Sequence, residues 1–141
     1  TLGIEQLVLV NSYRVEKSFW QSPWLSEVAV REQLLLGLEQ ARDTVLPTVT
    51  LAQRFKPFVE DDLPGLLLGR QAWLAHPLDA SECPANMSGP QLVVIGPEGG
   101  FIPYEVSLLQ SVGLQTVSLG SRILRVETAV AVALGKLLPL A

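Results

Sequence analysis

The sequence predicts an α/β domain with a mostly parallel sheet, and three observations carry that expectation. Short apolar runs at residues 7–10, 72–75 and 92–95, and the mixed stretch 114–119, read as strands. Longer stretches between them read as helices, and strands that alternate with helices pair in parallel. With 141 residues, 48% of them hydrophobic, the chain has material for one domain with a real core.

Residues 7–10 are apolar throughout, which predicts a first strand buried on both faces. A polar loop, NSYRVEKSFWQS, follows. Ser22 and Pro23 then open a helix, a capping hydroxyl ahead of a proline at the first helical position. It runs to about Asp43, and Pro47 closes it. Leu34, Leu35, Leu36 and Leu38 cover so much of its circumference that packing on two sides is expected. Residues 49–52 read as a short strand, and FKPFVEDDLPG as a brief helix and turn. The strand at 72–75 ends in His76-Pro77, and residues 78–90, rich in Ser, Pro, Asn and Gly, form a loop. The strand at 92–95 leads through GPEGGF into a helix over 103–112, stopped by Gly113. Residues 114–119 are strand, LGSRILRV a loop, and 127–138 the last helix. From Ala129 to Leu138 only Lys136 is polar, so that helix is apolar all round and expected to be buried.

In parallel sheets ligands sit beyond the carboxyl ends of the strands. Three unusual loops follow strands (His76-Pro77, 96–101 and 120–126), so they gather on one edge. GPEGGF matches neither the dinucleotide fingerprint nor a phosphate-binding P-loop. A tight connection explains one or two glycines. Three of them, Gly96, Gly99 and Gly100, also suit a ligand lying against bare backbone, and both readings stand. Glu105, third in its helix, is placed to reach back to free N–H groups, a structural role. Ile102 is a poor N-cap, so another group must satisfy those donors. An isolated arginine is usually a surface cation. Arg125, however, stands where the chain turns into an apolar helix, and a half-buried guanidinium there wants an anionic or polar partner.

Other candidates are weaker. His76 is the sole histidine and Cys83 the sole cysteine, which leaves no set for a metal cluster or a disulfide framework. The backbone of His76 matters more than its ring, and Cys83 reads as an inert loop thiol. Trp20 and Trp24 read as packing residues, and Arg14, Lys17 and Arg42 as a small basic rim on a solvated surface.

A net charge of −4 argues against a broad basic field for nucleic acid, though not against a local basic site. No apolar run approaches a membrane span; AVAVALG stops at Lys136. The surplus apolar surface therefore calls for a protein partner, most simply a second copy. No signal-peptide pattern opens the chain, and a cytoplasmic setting is expected. A start at Thr1 without methionine reads as a piece of a longer protein or a trimmed one.

The pairing of IGPEGGF…E with LG.RILR.ETA strongly resembles the RsmE family, 16S ribosomal RNA uracil-N3 methyltransferases of the SPOUT superfamily. Segments LGI…L, NSYRVEK and GLEQA are similar to the same family's middle region, so the resemblance covers most of the chain. It implies that residues 1–141 are a SPOUT methyltransferase domain with a C-terminal trefoil knot, a topology that periodicity would never suggest. It also implies a homodimer through the knot and S-adenosylmethionine held there largely by backbone groups. The implied cofactor walls are Ile95, Gly96, Pro97, Gly99 and Gly100 on one side. His76 and Pro77, and Leu119, Gly120, Ser121, Ile123 and Leu124, supply the others. Two departures stand out. Val126 replaces a usual threonine, and the family's N-terminal PUA-like barrel, with the first strand and helix of the catalytic domain, is absent from this chain. RNA contact is therefore expected mainly through that missing part.

The reaction so implied moves a methyl group onto N3 of a uridine in ribosomal RNA, with no metal. That nitrogen is protonated at neutral pH, so the site must favour the uracil anion and align it. Arg125 is the candidate for stabilising charge on a uracil oxygen and Glu98 for accepting the proton. Two rivals remain: a SPOUT enzyme for another RNA position, such as a transfer RNA ribose, and a non-catalytic nucleotide-binding dimer.

Overall fold

The computed structural model of the chain describes residues 2–139. They form two compact units: one takes in the chain up to Asn11 and Val15–Gln53, the other Ser12–Arg14 and the chain from Arg54 onward.

In the first unit, β1 (Gln6–Val10) and β2 (Thr48–Ala52) pair in parallel, in the register Gln6↔Thr48 to Val10↔Ala52. Both strands were expected, but β1 is only half-covered, and Leu7 is 38% exposed. The helix expected from Pro23 begins later. Ser22 accepts from the Trp24 N–H and caps a single 3₁₀ turn (Pro23–Leu25), and Ser26 then accepts from the Ala29 N–H and opens α1 (Glu27–Ala41). Two hydroxyls four residues apart thus divide one helix start into two. α1 ends on Arg42 at φ 55°, a left-handed C-cap. The expected two-sided packing is not found: α1 has no buried residue, and Leu36 is 57% exposed.

The second unit opens on a helical stretch, 55–67. It is made of α2 (Phe55–Pro57), a π-helical turn (Phe58–Asp62) and α3 (Leu63–Leu67). Pro64 has no N–H to give the carbonyl of residue 60, which favours a widened turn there. Phe58, Val59 and Leu63 are the buried face of this stretch. Four parallel strands follow: β3 (Gln71–Ala75), β4 (Ser81–Glu82), β5 (Gln91–Ile95) and β6 (Gln115–Ser118), in the order β4-β6-β3-β5. β4 is a two-residue pairing inside what the sequence presents as loop. It forms because the Ser118 carbonyl is free to accept from the Cys83 N–H.

Helices α4 (Pro103–Ser111) and α5 (Val126–Leu137) complete the unit. Trp73, Cys83, Val117 and Leu137 form a shared core, with Met87, Val93 and Leu119 packed against it. Trp73 Nε1 donates to Gln91 Oε1 at 2.8 Å, so the indole is buried with its donor satisfied. Cys83 is buried, and burial pushes its thiol above the ordinary value; Lys136 pulls it part of the way down and Glu82 adds upward. The last carbonyls of α5 also find partners, since Lys136 O accepts from the Asn86 N–H and Leu137 O from the Met87 N–H. α5 is not buried all round, as its apolar sequence led us to expect. Ala129, Ala133 and Leu137 are buried at every fourth position, while Val132 and Leu138 are each 37% exposed.

Candidate functional site

Parallel pairing fixes where the strands end together. Ala75 of β3 lies beside Ile95 of β5 and Val117 of β6, so the chain leaves all three strands at one edge. Here the three loops surround a cleft of about 240 Å³. Small-molecule sites usually begin near ~300 Å³, so this is a small, open example.

Of the predicted walls, His76, Pro77, Ile95, Gly96, Pro97, Gly99, Gly100, Leu119, Gly120, Ile123 and Leu124 line the cleft, and so does Glu98. Ser121 and Arg125 are not among the lining residues. Arg125 is also exposed, not half-buried as its position suggested: it is the N-cap residue of α5, and the chain turns inward only after it. Ala75, Phe101, Arg122 and Ala129 line the cleft without having been predicted. The sequence does carry a signal for Arg122: it is the other arginine of RILR, three residues before Arg125.

The glycines of GPEGGF do three different jobs. A Cβ at Gly96 would stand 3.1 Å from the Phe101 ring and 3.3 Å from its backbone N, so Gly96 lets the loop fold back on itself. A Cβ at Gly99 would stand 3.1 Å from Cδ of Arg14. Gly100, at φ 76°, needs glycine for its backbone, and its N–H closes a turn to Pro97 O at 2.7 Å. The bareness of this wall is therefore due partly to packing behind it.

Carboxylates hold the loop ends. Glu105 is 3% exposed; its Oε1 accepts from the Ile102 N–H and its Oε2 from the Tyr13 N–H, both at 3.0 Å. This is the structural role expected of it, and it supplies what Ile102 as N-cap cannot. Glu98 Oε1 accepts from the Val126 N–H at 3.2 Å, so a carboxylate from GPEGGF serves the first turn of α5. Val126 is the first residue of α5, so its N–H has no acceptor within the helix, and Glu98 supplies one from 28 residues away. His76 Nδ1 lies 3.3 Å from the Leu78 N–H and pins its own turn. The chemistry available is thus a cleft with apolar walls at Ile95, Leu119, Leu124 and Ala129, exposed glycine backbone, one carboxylate and one guanidinium. Such a set offers apolar contact and stretches of backbone free of side chains. Among the described residues no group of three or more His, Cys, Asp and Glu is placed to hold a metal.

Comparison with known proteins adds the following. Residues 1–138 match the model of the RNA methyltransferase domain family. The chain is 29% identical over 135 residues to ribosomal RNA small subunit methyltransferase E of Treponema pallidum, covering 92% of this chain and 50% of that protein. It is 39% identical over 93 residues to the Mycobacterium bovis protein of the same name, covering 66% of this chain and 34% of the relative. The chain thus spans half the length, or less, of these curated relatives. Among solved structures, a probable rRNA methyltransferase from Porphyromonas gingivalis superposes with a TM-score of 0.76 at 22% identity, over 94% of this chain and 55% of that one. Ribosomal RNA small subunit methyltransferase E from Neisseria gonorrhoeae, bound to S-adenosyl methionine, gives 0.72 at 24%, over 94% and 54%. At these identities the superpositions speak to the fold alone: parallel sheets flanked by helices.

Proposed function

The chain belongs to the RNA methyltransferase domain family, and we propose that its strand-end cleft holds S-adenosylmethionine for methylation of uridine N3 in 16S ribosomal RNA. The observation that carries the reading is the convergence of the loops after β3, β5 and β6 on one cleft, with 11 of the 12 cofactor-wall residues expected from the motifs lining it. The cleft suits the cofactor: apolar walls for a base, and a stretch free of side chains at Gly99 and Gly100. When bound, the cofactor supplies an electrophilic methyl group. The relatives named small subunit methyltransferase E support ribosomal RNA as the substrate class.

The chain's own residues then have two tasks. One is to lower the cost of the uracil anion: Arg125, exposed at the N-terminus of α5, stabilises charge on a uracil oxygen. The other is to take the N3 proton. Glu98 does this from the carboxylate oxygen that does not serve the Val126 N–H. Water is kept from the cleft floor by Leu119, Leu124 and Ala129.

Two further features belong to this reading. The Asn86 and Met87 N–H groups donate to the last carbonyls of α5, a contact in keeping with a C-terminal trefoil knot. The exposed apolar face of α5 supports a homodimer through it. The test is mass spectrometry of small-subunit ribosomal RNA from a strain lacking the gene. Loss of one methylated uridine, restored by the gene, is expected; an unchanged ribosomal RNA together with a lost transfer RNA methyl group would move the assignment to another RNA.

A further inference from the structure

The segment NSYR follows a strand in sequence and contributes nothing to the cleft wall, yet Arg14 is bound to the loop that does. Its Nη1 donates to Gly99 O at 2.6 Å. Its stem lies against Gly99 where a side chain would otherwise be, with Arg14 Cδ and Cβ at 3.1 and 3.2 Å from the position of a Cβ. The neighbouring Tyr13 N–H is fixed on the buried Glu105 carboxylate, which anchors the segment from which Arg14 extends. On the other side of the same peptide, the Gly100 N–H is spent on Pro97 O. Both polar groups of the Gly99–Gly100 link are thus engaged within the protein.

We propose that Arg14 is a positioning residue that locks the 97–100 turn in its ligand-ready form, an inference that rests on the cofactor reading of the cleft. Glycine-rich backbone has many conformations of similar energy, so a bare wall is a weak site unless something holds it. A site competent only part of the time binds with its affinity reduced by that fraction. Arginine suits the task because its long stem can cover Gly99 while its planar head reaches the carbonyl; it does not enter the cleft. Being exposed, it contributes little to global stability, so its effect should fall on the loop.

The experiment compares wild type, Arg14→Met and Arg14→Lys in the full-length protein. It measures calorimetric affinity for S-adenosylhomocysteine, hydrogen exchange of the Gly100 amide, and Tm. Methionine keeps much of the stem and removes the donor, whereas lysine keeps a cationic donor. Arg14→Met should weaken S-adenosylhomocysteine about tenfold and speed Gly100 exchange by a similar factor at unchanged Tm, with Arg14→Lys recovering most of both. Wild-type affinity and Gly100 protection in Arg14→Met would overturn the proposal, as would equal losses in both variants with a fall in Tm. If wild-type protein binds no S-adenosylhomocysteine, the cofactor reading fails by itself, and Gly100 exchange still decides whether Arg14 locks the turn.

Discussion

Arg122 and Arg125 stand three residues apart, and only the first of them lines the cleft. Arg122 lines the cleft, whereas Arg125 is exposed at the head of α5. On the proposed reading Arg122, at the wall, acts on cofactor binding, and Arg125, outside the lining, acts on the substrate. Arg125→Ala should therefore lower kcat by about a hundredfold or more while leaving S-adenosylhomocysteine affinity unchanged, the size of effect seen when one charge-stabilising donor is lost. Arg122→Ala should do the reverse and weaken the cofactor with less change in kcat. Steady-state kinetics with calorimetry on both variants checks the division; if Arg122→Ala carries the whole loss of kcat, the roles are exchanged. The motif RILR marks the pair, but its spacing does not say which of the two lines the cleft. Only the position of the α5 cap, one residue earlier than expected, decides which is which.

At the level of elements, the strongest local determinant is Glu105. A buried carboxylate that accepts from the Ile102 and Tyr13 N–H groups ties α4 to the NSYR segment. Glu105→Ala leaves both donors without a protein partner, and chemical denaturation should show a loss of about 2–4 kcal/mol. A loss below about 0.5 kcal/mol, within the range of ordinary surface changes, would mean that water replaces the carboxylate at no cost. The capping half of this role was legible, because Glu at the third helical position is a local signal. The Tyr13 half was not: it joins residues 92 apart. The same contrast holds elsewhere. β3 and β5 announce themselves as apolar runs and β6 as a short stretch between Gly113 and Gly120, and their ends fall within a residue of those expected. β4 has no such run, since its existence depends on a carbonyl offered by β6. The start of α1 moved to Ser26 because two competent caps lie close together, and sequence does not rank them.

Across the whole molecule, apolar sequence indicated how much surface needs covering but not what covers it. α5 is apolar nearly all round, yet only the stripe of Ala129, Ala133 and Leu137 is buried by this chain. The remaining face, with Val132, is the surface through which the proposed homodimer forms. Val132→Asp should turn a dimer into a folded monomer in analytical ultracentrifugation, with its far-ultraviolet spectrum retained. A dimer that survives the change would place the contact elsewhere. The cleft itself was legible from three strand-end loops, because a parallel sheet delivers its strand ends to one edge whatever the side chains. What stayed hidden is the scaffold behind the loops. Arg14 on Gly99, Phe101 on Gly96 and Glu98 on the Val126 N–H are long-range or steric relations that no spacing encodes. The measurement that bears most directly on the central claim is calorimetric titration of the full-length protein with S-adenosylhomocysteine, with ATP as control. Saturable binding of S-adenosylhomocysteine and none of ATP is the predicted result. ATP binding, or no binding of S-adenosylhomocysteine by a folded sample, would contradict the assignment of this cleft to a methyl donor.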